Sequence, residues 1–193
     1  MASPYEYPGI GVLRNKPGLR DRESLRLFEY EAVAQRTAAL LQKPVKGSFD
    51  LGHLQAIHKT LFQDVYDWAG ELRTVDIAKG HTQFARPAFL ETEGKRLSLL
   101  LARERHLRDL AHADFVARFT EHYAEWNALH PFREGNGRAL RVFFGDIARA
   151  AGYTLDNTRI DNGKGQWDHA CEQSFLGDSG PLAKIFKRAI AIR

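Results

Sequence analysis

A chain of 193 residues with 44% hydrophobic and 27% charged side chains can bury the core of one ordinary domain, which excludes a disordered or fibrous protein. The net charge of +4 describes a solvated surface with a mild bias toward anionic ligands such as nucleotides or nucleic acid. The single Cys171 excludes an internal disulfide framework and fits a reducing compartment. No apolar run approaches the roughly 18 residues of a spanning helix, and the N-terminus lacks the basic start and apolar stretch of a signal peptide.

Residues 1–20 are rich in Gly, Pro, Tyr and basic side chains and lack helical periodicity, so they predict an extended arm whose aromatics pack on the body. Asp21 is placed to cap a helix reaching about Gln42, with Leu25, Phe28, Ala32, Ala39 and Leu40 near helical spacing. Asp50 caps a second, which carries Leu51, Leu54, Ile57, His58 and Leu61. His58 reads as a hydrogen-bonded core histidine, because no metal-binding partner stands at helical spacing from it. From Leu72 to Phe84 the alternation predicts two short strands around a turn at Lys79-Gly80-His81. Pro87 opens a helix to about His106, followed by the charged stretch to Arg108.

Asp114 is expected to cap the next helix, where Phe115, Phe119, Tyr123 and Trp126 form one buried stripe. That helix must end before Pro131, since the residue before a proline is pushed out of the α region. A further helix runs from near Asn136 to Ala151 and stops at Gly152. After a loop from Asp156 to Gly165, two closing helices are expected at Trp167–Phe175 and Pro181–Ile192. These elements make one mainly α domain over residues 1–193 with one small hairpin.

The chemistry concentrates in His130-Pro131-Phe132-Arg133-Glu134-Gly135-Asn136-Gly137-Arg138, with Arg141 three residues on. Gly135-Asn136-Gly137 permits close backbone approach just before a helix, so free N–H groups and the positive end of the helix dipole share one space suited to phosphate. Arg138 and Arg141 can add two guanidinium forks. Glu134 suits Mg²⁺, which commonly takes one or two carboxylates plus phosphates and waters. His130 titrates near neutrality and could accept a proton from an attacking hydroxyl. Together these are the parts of a phosphoryl- or nucleotidyl-transfer site. A turn with both arginines in surface salt bridges remains the alternative from residue types alone. The Walker pattern is absent, and Pro131 and Gly135 stop one helix from presenting His130 and Glu134 as a zincin-like pair.

His130 to Arg141 resembles the signature of Fic-domain proteins, H-P-F-x-[DE]-G-N-G-R-x-x-R, at every specified position. The resemblance implies a Fic-type helical domain. It has an N-terminal arm at 1–20 similar to that of short bacterial toxin members, a hairpin flap at about 73–85 and a catalytic motif at 130–141. It implies AMP transfer from ATP to a Ser, Thr or Tyr hydroxyl of a target protein. His130 would deprotonate the hydroxyl, and Glu134 would hold Mg²⁺ on the α- and β-phosphates. Gly135, Asn136 and Gly137 would cradle the phosphates, with Asn136 also aiding metal positioning. Arg138 would bind the β/γ-phosphate region and Arg141 the γ-phosphate. Arg133, Asn127 and the flap residues Lys79 and Gly80 would lie near the nucleotide, and Phe132 would anchor the loop. The flap would register the target backbone by strand addition.

The family's phosphate-transferring Doc branch carries Lys where Gly137 stands, so Gly137 with Arg138 favours AMP transfer. Many members carry an inhibitory helix, [ST]-x-x-x-E-[GN], whose glutamate pairs with the second arginine. Here Glu precedes Gly or Asn only at Glu93 and Glu134, and the residues four earlier are Phe89 and His130. The resemblance then implies a small antitoxin supplying that helix in trans, or an unregulated enzyme. A cytoplasmic bacterial location is expected, or secretion as an effector if the chain is a fragment, with no membrane partner and no direct nucleic-acid binding. Two alternatives stand beside this: a non-catalytic nucleotide or nucleic-acid binding module, and transfer of another phosphate-linked group such as phosphocholine or UMP.

Overall fold

The computed structural model describes residues 3–80, 82–160 and 165–193. Among the described residues there are seven α-helices, two small antiparallel strand pairs and three short 3₁₀ turns. Helix α1 spans Arg22–Gln42 and α2 Leu51–Phe62, and both start as expected. The Asp21 carboxylate accepts from Ser24 N–H at 2.8 Å, and that of Asp50 from His53 N–H at 2.7 Å. Each cap satisfies an amide that the helix cannot pair internally.

The stretch expected as a two-stranded flap is less regular. Its ladder is only β1, Ala78–Lys79, against β2, Thr82–Gln83. The preceding residues follow no strand because Arg73 turns inward and overrides the alternation. His81, placed in the turn from the sequence, lies outside the described residues. A 3₁₀ turn at Pro87–Phe89 leads into α3, Leu90–Arg103, and a second 3₁₀ turn at Arg105–Leu107 replaces the expected end of that helix.

Helix α4 spans His112–Leu129 and is capped at Ala111 rather than Asp114. Asp114 instead sits in the first turn, where its charge complements the helix dipole. Phe115, Phe119, Tyr123 and Trp126 are all fully buried, as their spacing requires. Helix α5, Asn136–Ala150, packs against α2 and α4. It runs into β3, Tyr153–Leu155. Helix α6 spans Gln166–Phe175. The last expected helix is cut short: α7 covers Gly180–Ala189, and Ile190–Ile192 forms β4 against β3, with Tyr153 opposite Ile192 and Leu155 opposite Ile190. The β-branched isoleucines gain a partner strand that a further helical turn would not offer.

The core lies where α2, α4, α5 and α7 meet, filled by Leu54, Ile57, Leu61, Phe62, Phe119, Phe143, Phe144 and Phe186. The N-terminal arm packs on this body: Tyr5 is buried edge-on to Trp68 at 5.5 Å, and its hydroxyl accepts from Thr74 N–H at 3.0 Å. Among the described residues no helix is long and apolar enough to cross a membrane.

Candidate active site

The buried stripe of α4 fixes the point where that helix ends. Pro131 denies His130 the helical conformation, and His130 closes the helix in the left-handed region with φ 46°. This turn carries the imidazole away from the helix axis. Its Nδ1–H donates to the Asn127 carbonyl at 3.0 Å, which leaves Nε2 with the lone pair. Phe84 from the flap stacks on the ring at 3.8 Å and 13°. Burial pushes the His130 pKa down to about 4, and the Arg73 and Lys79 cations add to this while the Asn127 bond opposes it. The ring is therefore neutral near pH 7 and able to accept a proton.

The loop after His130 is a core element in its own right. Asn136 spends both ends of its carboxamide on Phe132, accepting from its N–H and donating to its carbonyl, each at 2.8 Å. What Asn136 presents to the site is its backbone N–H at the start of α5. Phe132 is fully buried and stacks on His58 at 3.8 Å. His58 Nδ1 accepts from Gly70 N–H and its Nε2–H donates to the Glu134 carbonyl, both at 2.9 Å. It is the hydrogen-bonded core histidine expected, and desolvation lowers its pKa to about 4. Gly135 adopts φ +79°, and a Cβ there would lie 2.2 Å from the Phe62 ring. Only glycine fits both the conformation and the space.

His130, Arg133, Glu134, Gly135, Asn136, Gly137, Arg138 and Arg141 line one cavity of about 780 Å³ together with Asn127, Lys79 and Gly80. Every residue assigned to the site from the sequence thus reaches a single space, walled on its far side by Trp167, Asp168 and Phe175 of α6. The unpaired N–H groups of the first turn of α5 favour an anion there.

The side chains differ in how they are held. Arg138 lies 4.7 Å over the Phe62 ring and pairs with Glu29 at 2.6 Å and Glu134 at 3.3 Å. Arg141 lies 5.1 Å over the Trp167 ring, and its buried Nε has no hydrogen-bond partner. Among the described residues no carboxylate pairs with Arg141. Arg133 donates to Glu6 at 2.7 Å and so also ties down the arm. Lys79 meets Asp168 at 2.7 Å across the mouth of the cavity, and Phe84 meets Phe175 edge-on at 6.4 Å. The Glu134 carboxylate accepts from Gly135 N–H at 2.9 Å. The described residues hold no cluster of three metal-ligating side chains, and Glu134 is the carboxylate of the loop itself. That donor set fits Mg²⁺ shared with a polyphosphate and would not hold an ion alone.

Three contributors were not legible in the sequence. Arg73, 2% exposed, donates to the carbonyls of His130 and Val75, each at 2.8 Å, and to that of Ala85. It thereby joins both ends of the flap to the end of α4. Phe84 comes from the flap, where the sequence places it without revealing its stacking on His130, and Glu29 reaches Arg138 from α1, signalled only as a carboxylate spaced four residues from both Leu25 and Val33.

A helix N-terminus and two arginines facing a neutral imidazole define a helical phosphate-transfer or phosphate-binding domain. The comparisons with known proteins narrow this. The model of the Fic/DOC family matches residues 48–147. The chain is 43% identical to the "Probable protein adenylyltransferase Fic" of Salmonella typhimurium, covering 97% of this chain and 92% of that protein. It is 40% identical to "Protein adenylyltransferase VbhT" of Bartonella schoenbuchensis, where the match spans 96% of this chain and 38% of the larger protein. Among solved structures it resembles the BepC effector of Bartonella tribocorum with bound AMPPNP, with TM-score 0.89 at 28% identity and coverage of 98% of this chain and 97% of that one. The chain belongs to the Fic/DOC family.

Proposed function

We propose that the protein is a protein adenylyltransferase of one Fic-type domain, transferring AMP from ATP to a Ser, Thr or Tyr hydroxyl of a target protein. One geometric relation supports this above the alternatives: the free Nε2 of a neutral His130 opens on the same cavity as the N-terminus of α5. The 43% identical relative carries the adenylyltransferase name, and the BepC structure contains an ATP analogue. In the proposed reaction His130 Nε2 takes the hydroxyl proton. The oxygen attacks the α-phosphorus, and the bond from that phosphorus to the bridging oxygen breaks. The amides of Asn136 and Gly137 hold phosphate oxygens, whereas that of Gly135, expected in the same role, is taken by the Glu134 carboxylate; Arg138 and Arg141 stabilise the charge on the departing pyrophosphate. Mg²⁺, held by Glu134 and the phosphates, would neutralise charge on the α- and β-phosphates. Asn127, Arg133, Lys79 and Gly80 border the nucleotide, and the flap is the edge against which the target backbone would be aligned.

We further propose that the protein acts in the bacterial cytoplasm as the toxin of a toxin–antitoxin pair. The sequence lacks the inhibitory motif, and the Arg141 guanidinium has no paired carboxylate among the described residues. A small antitoxin helix bearing a glutamate would suit that position. Incubation with Mg²⁺, bacterial lysate and α-labelled ATP should label a protein band, whereas γ-labelled ATP should not. His130→Ala should abolish the labelling, and labelling that persists would exclude His130 as the base.

A further inference from the structure

Arg138 stands between two carboxylates that are not equivalent. Glu134 belongs to the cavity wall, whereas Glu29 lies behind the guanidinium and does not line the cavity. Glu29 occupies the inward stripe of α1, four residues from the buried Leu25 and four from the buried Val33. Its side chain is only 13% exposed. A charge in that position is costly to bury unless it is paired and hydrogen-bonded. It is both: one oxygen takes Arg138 at 2.6 Å, and the other accepts from the Tyr66 hydroxyl. Tyr66 is itself 1% exposed and stacked on Trp68 at 4.2 Å, so the carboxylate is fixed from two sides.

The second contact of Arg138 is the looser one. Arg138 and Glu134 are spaced i, i+4, and their closest approach is 3.3 Å, longer than the roughly 2.7–2.9 Å of a well-formed charge-assisted bond. Without Glu29 the guanidinium would be free to close on Glu134. A carboxylate engaged in a tight ion pair is a poor ligand for a hard cation, and a guanidinium closed on Glu134 would lose the face it turns to the cavity, whereas Glu29 takes it at Nη1 from the side away from the cavity.

We propose that Glu29 is a positioning residue of the nucleotide site: it holds the Arg138 guanidinium off Glu134, keeping both groups available to a Mg²⁺-bound triphosphate. This rests on the adenylyltransferase reading for the identity of the ligand. Tyr66 supports the same function by orienting Glu29.

The full chain, Glu29→Gln and Tyr66→Phe are titrated calorimetrically with Mg²⁺–AMPPNP and separately with AMP, and their melting temperatures are recorded. Glu29→Gln should weaken Mg²⁺–AMPPNP about tenfold, equivalent to about 1.4 kcal/mol, and raise the Mg²⁺ concentration needed for half-maximal analogue binding. Tyr66→Phe should move both quantities in the same direction by a smaller factor. AMP, which lacks the outer phosphates, should bind all three proteins alike. Unchanged or tighter binding of Mg²⁺–AMPPNP by a folded Glu29→Gln protein would overturn the proposal, as would an equal loss for AMP. If Glu29→Gln does not fold, Tyr66→Phe decides by the same criteria. Failure of the unaltered protein to bind the analogue at all would instead overturn the adenylyltransferase reading.

Discussion

The two glycines of the central loop make opposite demands, and substituting each by alanine separates folding from binding. At Gly135 the backbone has φ +79°, which costs a residue with a Cβ about 1–2 kcal/mol. The new methyl would also lie 2.2 Å from the Phe62 ring, which is fully buried and carries Arg138 on one face at 4.7 Å. Displacing that ring adds overpacking of about 1–3 kcal/mol, so Gly135→Ala should destabilise by about 2–5 kcal/mol. For a chain of 193 residues this is a fall in melting temperature of about 4–20 °C. At Gly137, inside α5, a Cβ meets nothing within 4 Å. Gly137→Ala should leave stability unchanged or raise it by up to about 1 kcal/mol through helix propensity. Gly137 lines the cavity, however, so a methyl there takes space that a phosphate would use. Thermal melts and titration with AMPPNP on both variants give the test. A Gly135→Ala protein that melts like the unaltered one, or a Gly137→Ala protein that loses stability while binding normally, would refute the division of labour.

Arg73→Lys should cost about 3 kcal/mol or more in chemical denaturation, because one ammonium cannot replace a fork that reaches several buried carbonyls. A loss below about 1 kcal/mol would deny Arg73 its structural role. Phe84→Ala removes the ring stacked on His130 and should lower kcat by up to about tenfold with little change in KM for ATP, the size of a lost aromatic contact. A change confined to KM would count against it. The folded pKa values of His58 and His130 lie near 4, below the ordinary 6.5, so the unfolded chain binds more protons between these limits. Stability should therefore fall as pH drops from about 6.5 to 4, by up to about 1.4 kcal/mol per pH unit for each histidine. Melting curves recorded across that range should descend, and a flat or rising profile would contradict burial of the neutral rings.

The loop from His130 to Asn136 was readable because its parts are consecutive: Pro131 ends one helix, Gly135 permits the turn, and the next helix begins at Asn136. Helix caps were readable where an Asp stands at the boundary, as at Asp21 and Asp50. Asp114 misled because an acidic residue in the first turn is also favourable, so the residue type does not separate cap from first turn. The end of α7 was missed for a different reason. Ile190 and Ile192 pair with residues some 35 positions earlier, and nothing local distinguishes a last helical turn from a strand with a distant partner. The same distance hides Arg73 and Glu29, whose side chains act on the His130 carbonyl and on Arg138. The alternation around Arg73 suggested a strand that the structure does not form there, and it did not reveal that the guanidinium would supply the buried hydrogen bonds.

His58 gives the site an unusual kinetic character. One imidazole, wholly inside the core, holds Gly70 at one nitrogen and the Glu134 carbonyl at the other, while its face carries Phe132. The loop that would cradle a nucleotide is pegged to the interior and cannot open without disturbing α2. The amides of Gly70 and Phe132 should then exchange with solvent deuterium nearly as slowly as those of the central helices. Substitutions deep in α2, at His58 or Phe62, should consequently surface in a genetic screen as loss of activity, although neither side chain would touch the substrate.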